Sequence, residues 1–94
     1  MKKLIVTRHP ALVEYLRQLD LVDSSAEVVT HATPDKVAGR HVYGVLPHHL
    51  SCLCTAYTEV PLLLPVELRG HELTLAQVEQ YAQPVQTYTV QIII

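Results

Sequence analysis

Apolar residues fall into short runs, and the turns between them repeatedly carry proline. Lys3–Thr7, built on Leu4-Ile5-Val6, has the continuous apolar pattern of a central parallel strand. Pro10–Leu19 follows, with Leu12, Val13, Leu16 and Leu19 at helical spacing and Glu14, Arg17 and Gln18 on other faces. Asp20–Ser25 is a polar loop in which Leu21 and Val22 cover the helix end. Ala26–Thr30 reads as a second strand, Thr33-Pro34-Asp35 as a turn or single helical turn, and Gly39 as its break.

The second half keeps the alternation. His41–Leu46 predicts a third strand, and Pro47 opens a helix running to about Ala56. Tyr57–Leu64 predicts a fourth strand, which Pro61 confines to an edge or bulge. Leu64–Glu72 is an irregular loop. Thr74-Leu75-Ala76-Gln77 is a capping-box pattern for a helix ending near Ala82, and Pro84 stops it. Val85–Ile94 alternates Thr and Tyr with Val, Gln and Ile, as a half-exposed strand at an edge or subunit boundary would. With no repeat and no linker, residues 1–94 are expected to form one α/β domain with a mostly parallel sheet of about five strands.

Composition narrows the function. About half of the 94 residues are apolar and 17% are charged, so the chain can bury a core; lacking Phe and Trp, it must use Leu, Val, Ile, Ala and some Tyr. A net charge of −2 offers no overall field for a polyanion, which argues against duplex nucleic acid and for a small phosphorylated ligand held locally. Lys2-Lys3 is followed by only three apolar residues before Arg8, so no signal peptide is expected, and no run reaches membrane-spanning length. Cys52 and Cys54, two apart on the expected helix, point to opposite faces and suit neither a mutual disulfide nor one metal. Small core thiols in a reducing cytoplasm are the expectation.

Parallel strands end on one side of a sheet, where α/β proteins bind ligands. The strand ends here read Arg8-His9-Pro10, His31-Ala32-Thr33-Pro34 and Leu46-Pro47-His48-His49. A guanidinium beside an imidazole at a helix start suits a phosphate, because the first-turn N–H groups and the dipole are positive there. Arg8 is therefore read as an anion contact, and His9 suits either helix capping or proton transfer. His31 fits a structural histidine or a ligand contact. Of His48 and His49, one is expected to face the cleft, and position favours His48. His41 begins a strand at the opposite edge and reads as structural; His71 has no evident partner. Three histidines could surround a zinc, but no His-x-x-x-His, Cys-x-x-Cys or companion carboxylate supports it, and Glu67 and Glu72 share a loop with no electrophile between them. No metal or cofactor is expected.

Val6-Thr7-Arg8-His9-Pro10, Gly44-Val45-Leu46-Pro47-His48-His49-Leu50 and Leu64-Pro65-Val66-Glu67-Leu68-Arg69-Gly70-His71-Glu72-Leu73 occur in this order. In spacing and total length they resemble the Csx-sixteen family of small type III CRISPR-associated proteins over nearly the whole chain. Thr-Arg-His-Pro is the most specific part, and Ala11 stands where the family usually has a small residue such as Gly. The resemblance implies a small Rossmann-like three-layer sandwich and a homodimeric ring nuclease that linearises cyclic tetra-adenylate. It implies Arg8, His9 and His48 as the catalytic core, with Thr7, His31 and Arg69 as contacts; Pro10, Pro47 and His49, at the same strand ends, complete the expected ligand-binding residues. The alternatives are a protein that sequesters the ring uncut, a histidine phosphatase (disfavoured by Pro10 and the short chain) and a protein-interaction subunit.

Overall fold

Leu4, Ile5 and Val6 form β1 and alternate between two cores. Ile5 packs with Leu12 and Leu16 on one face of the sheet, while Leu4 and Val6 pack with Val37 and Leu50 on the other. The computed structural model describes residues 2–94. After β1 (Leu4–Val6) come α1 (Pro10–Gln18), β2 (Glu27–Val29), α2 (Pro34–Val37), β3 (His41–Gly44), α3 (His48–Ser51), β4 (Ala56–Glu59), α4 (Leu75–Tyr81) and β5 (Gln86–Tyr88). A 3-10 turn at Val66–Leu68 lies between β4 and α4. The sheet order is β2-β1-β3-β4-β5, with β5 antiparallel to β4 and every other pair parallel.

The layers follow from the alternation. Ile5 and Tyr43 face α1 and α4, whereas Leu4, Val6, Val42 and Tyr57 face α2 and α3. This is a mixed α/β fold consistent with a small Rossmann-like domain. β1 and β2 lie to one side and β3 to the other, so the topology switches direction between β1 and β3.

Local rules explain the elements that match expectation. Pro10 occupies the first turn of α1, where its missing N–H costs nothing, and Ala11, Leu12, Val13 and Leu16 are buried. At α4 the capping box is complete: Gln77 N–H donates to Thr74 Oγ1 at 3.2 Å, and Thr74 N–H donates to Gln77 Oε1 at 3.0 Å.

Three expectations are corrected. The helix expected from Pro47 to Ala56 is the single turn α3, because Gly39 N–H donates to the Leu53 carbonyl and Thr55 N–H to the Arg40 carbonyl. Those bonds commit residues 53–55 to the start of the β3–β4 pairing. The fourth strand stops at Glu59 rather than Leu64. Pro61 has no N–H to continue it, and Leu62–Leu63 turn to meet Tyr81–Ala82 at the end of α4. The last strand ends at Tyr88, not Ile94: it runs antiparallel from Glu59↔Gln86 to Tyr57↔Tyr88, one residue short of the start of β4 at Ala56, so almost all of its partner is used by then. Ile92, Ile93 and Ile94 are exposed.

A polar strut crosses the far half of the sheet. The His41 ring stacks on Tyr43 with centroids 4.4 Å apart, and its Nε2 lies 2.6 Å from Thr58 Oγ1, which is 2.8 Å from Thr87 Oγ1. Burial, with a smaller contribution from the Lys3 charge, lowers the His41 pKa below its ordinary 6.5. The folded state thus favours neutral imidazole. Its contribution to stability is complete above the unfolded value and is lost as pH falls through the lowered folded value, because the unfolded chain takes up the proton first. Urea midpoints should therefore fall between about pH 7 and 5 more in the wild type than in His41→Gln; equal slopes would remove His41 as the cause.

Candidate functional site

The end of β1 is built by backbone constraints. Thr7 N–H donates to the Val29 carbonyl at 3.0 Å, extending the pairing with β2, and Thr7 Oγ1 accepts from His9 N–H at 3.1 Å. That turn leads the chain into α1. Residue 9 is the N-cap, yet no side chain caps the helix and its first turn holds no acidic residue. The positive end of α1 is therefore not neutralised from within its own first turn.

The neighbouring end of β3 comes unusually close. Gly44 has φ +137, and a Cβ there would lie 2.2 Å from the Val6 carbonyl oxygen. Glycine is required by both conformation and space. Beyond it the chain is held by Tyr57, whose buried hydroxyl accepts from Leu46 N–H at 2.9 Å and donates to the Gly44 carbonyl at 3.2 Å. Burial raises the Tyr57 pKa, keeping the phenol neutral and able to make both bonds.

Arg8 stands where three adjoining clefts meet. The first, about 370 Å³, lies over the β1/β3 switch point and is lined by Thr7, Arg8, His9, Thr30 and Val45 with apolar walls from Val60 and Leu62. The second runs between α1 and β2, past Pro10, Arg17 and Thr30. The third, about 470 Å³, separates Arg8 and His9 from Gly70, His71 and Glu72. Among the described residues the one ion pair is Arg40–Glu27, so Arg8 has no carboxylate within ion-pair distance. His9 Nδ1 is buried without a hydrogen-bond partner.

The expected site residues separate into groups. Thr7, Arg8, His9 and Pro10 converge on these clefts. Arg69 is exposed and immediately precedes Gly70 of the third cleft. His31 is exposed beyond β2 and is not among the lining residues. Pro47 is the exposed N-cap of α3, and His48 and His49 line a different groove with Cys52 and the Val90–Ile92 segment. The reason is topological: α1 packs on the Ile5 face of the sheet and α3 on the Leu4/Val6 face, so the chain leaves β1 and β3 toward opposite sides.

Residues that sequence reasoning missed also line the clefts. Thr30 follows the strand residue paired with Val6, so its position beside Thr7 could have been inferred from threonine ending both strands. His71 and Glu72 carried no such signal; packing of Leu73 and α4 on the α1 face brings their loop to Arg8. Among the described residues no group of three His, Cys, Asp or Glu side chains could hold a metal ion, and no helix is long and apolar enough to cross a membrane.

Fold and site define an α/β domain with a cationic, partly apolar cleft at its switch point. The chain belongs to the family described as "Putative CRISPR-associated protein (Cas_VVA1548)", whose model matches residues 4–91. No curated protein and no solved structure matches it.

The cleft depends on the close approach of β3 to β1. Gly44→Ala should cost roughly 2–5 kcal/mol, from overpacking plus a positive φ, read as a lowered urea midpoint. A midpoint within error of wild type would show that the strands separate freely and that the approach is not a constraint.

Proposed function

We propose that the protein is a ring nuclease of a type III CRISPR system that binds cyclic tetra-adenylate and linearises it without a metal, ending the signal. The observation that carries this reading is the unpaired Arg8 guanidinium beside His9 at the uncapped start of α1, in the cleft at the β1/β3 switch point. Membership of a CRISPR-associated family and the resemblance to Csx-sixteen proteins support a cyclic oligoadenylate as the anion.

The chemistry asks little of the protein beyond alignment. A ribose 2′-hydroxyl attacks the adjacent phosphorus in line with the leaving 5′ oxygen, giving a 2′,3′-cyclic phosphate and a free 5′-hydroxyl. Arg8 and N–H groups of the first α1 turn would stabilise charge growing on the phosphoryl oxygens. Val45, Val60 and Leu62 offer apolar wall for a base. Of the imidazoles expected to move protons, His9 adjoins Arg8 within one subunit; His48 would reach the ring only across a wider footprint or from a second copy.

A cytoplasmic homodimer belongs to the same reading. A ring of four identical nucleotides has two-fold symmetry that a C2 pair can match, each copy presenting Arg8 to an opposite phosphate. The unpaired edge of β5 and the exposed Ile92–Ile94 provide surface that a second copy would cover.

Labelled cyclic tetra-adenylate in EDTA tests the reading. Wild-type protein should yield linear product over many turnovers, and Arg8→Ala should weaken ring binding by roughly 1.5–3 kcal/mol, the worth of one charge-assisted hydrogen bond. Stoichiometric binding of intact ring would make the protein a sequestering module instead. Absence of binding would defeat both.

A further inference from the structure

The loop after the 3-10 turn is pinned against the start of α1. Leu68 packs on the α1/α4 core and Leu73 is buried in it. Between these anchors Gly70 turns the chain at φ +80, and Gly70, His71 and Glu72 line one cleft with Arg8 and His9. A second imidazole thus shares the cleft with the guanidinium, from the same subunit and the same face of the sheet.

The two imidazoles are not equivalent. His9 Nδ1 is buried and unpartnered. A proton on it would be a buried donor with no acceptor, a rarer and costlier defect than an unused lone pair. The tautomer that fits carries its proton on Nε2 and leaves Nδ1 bare. Acting as a base through Nε2, or as an imidazolium acid, would each require the orphan Nδ1–H. His9 is therefore suited to donate a hydrogen bond rather than to transfer a proton. His71 is an exposed residue lining the same cleft, where water can partner either ring nitrogen, and it is free of that constraint.

We propose that His71 is a catalytic residue that accepts the proton of the attacking 2′-hydroxyl, while His9 donates from Nε2 to a phosphoryl oxygen. The proposal rests on the ring-nuclease reading. The 2′ oxygen gives its proton to His71 and forms the new bond to phosphorus. The bond from phosphorus to the 5′ oxygen breaks with its electron pair on that oxygen, which takes a proton from water. His71 then returns its proton to solvent, so ring and linear 2′,3′-cyclic phosphate balance. Glu72, the carboxylate of the same cleft, would repel a phosphate but suits the imidazolium that His71 becomes.

The test measures ring affinity and single-turnover cleavage in EDTA for the full wild-type chain, His71→Ala and His71→Gln. Both variants should bind within about twofold of wild type yet cleave about a hundredfold more slowly, the lower range for acid–base catalysis. Added imidazole should restore part of the rate to His71→Ala and none to His71→Gln, whose side chain fills the space. Cleavage within threefold of wild type, affinity lost in proportion to rate, or no rescue would each overturn the role of His71 while leaving the nuclease standing. A wild-type chain that binds the ring without cutting it would remove the nuclease reading and this role together.

Discussion

The Val6 carbonyl oxygen sits where any side chain at residue 44 would have to go, and the architecture of the ligand end depends on that contact. It brings the ends of β1 and β3 together at the point where the chain's direction across the sheet reverses. From there the two strands send their helices to opposite faces, and that divergence opens the cleft over the switch point. A bulkier residue at 44 would push β3 away from β1 and move the turn that carries Arg8 and His9. The position of the guanidinium is thus set by backbone packing two residues earlier rather than by contacts of its own.

Without Phe or Trp, the chain uses its buried tyrosines as struts as well as filler. Tyr43 and Tyr57 sit on neighbouring strands and face opposite cores. The Tyr43 hydroxyl donates to the Leu21 carbonyl, which also accepts from Lys3 Nζ at 2.7 Å, so the α1–β2 loop is tied down. The Tyr57 hydroxyl binds both Gly44 and Leu46 and fixes the turn after β3. Each ring supplies apolar area to a core and a polar tip to a loop that aliphatic side chains could not hold.

What could be read from the sequence was what is decided locally. β1 is legible because Leu4-Ile5-Val6 is apolar on both faces, and α1 and α4 because proline at a helix start and a Thr-x-x-Gln box are short-range signals. The lengths of β4 and β5 are decided by long-range pairing: Pro61 releases one strand, and the other has used almost all of β4 by Tyr88. The site follows the same division. Thr7 through Pro10 lie along one turn and are legible together. The rule that strand ends share one edge of a parallel sheet groups His48 with them, but it does not say which face the following helix takes. His71 lies some sixty residues from Arg8 in sequence, and only the packing of Leu73 and Val78 on the α1 side brings it close.

The energetics of an anion site on an acidic protein favour several modest contacts over one strong one. Arg8 is exposed, so bulk water screens its charge, and at 4 Å two unit charges in water gain only about 1 kcal/mol. A directed, charge-assisted hydrogen bond adds more, roughly 1.5–3 kcal/mol, and still falls short of the roughly 8 kcal/mol of micromolar binding. Two routes remain for the chain to reach it. One gathers further donors and apolar wall around the same phosphate, as Thr30 and Val45 do beside Arg8. The other doubles the site by symmetry, so that a ligand with its own two-fold axis meets two guanidiniums and pays the entropy of association once. In the proposed complex both routes act together, and a chain with a net charge of −2 would hold a four-phosphate ring through Arg8, which has no carboxylate partner among the described residues, presented once by each copy.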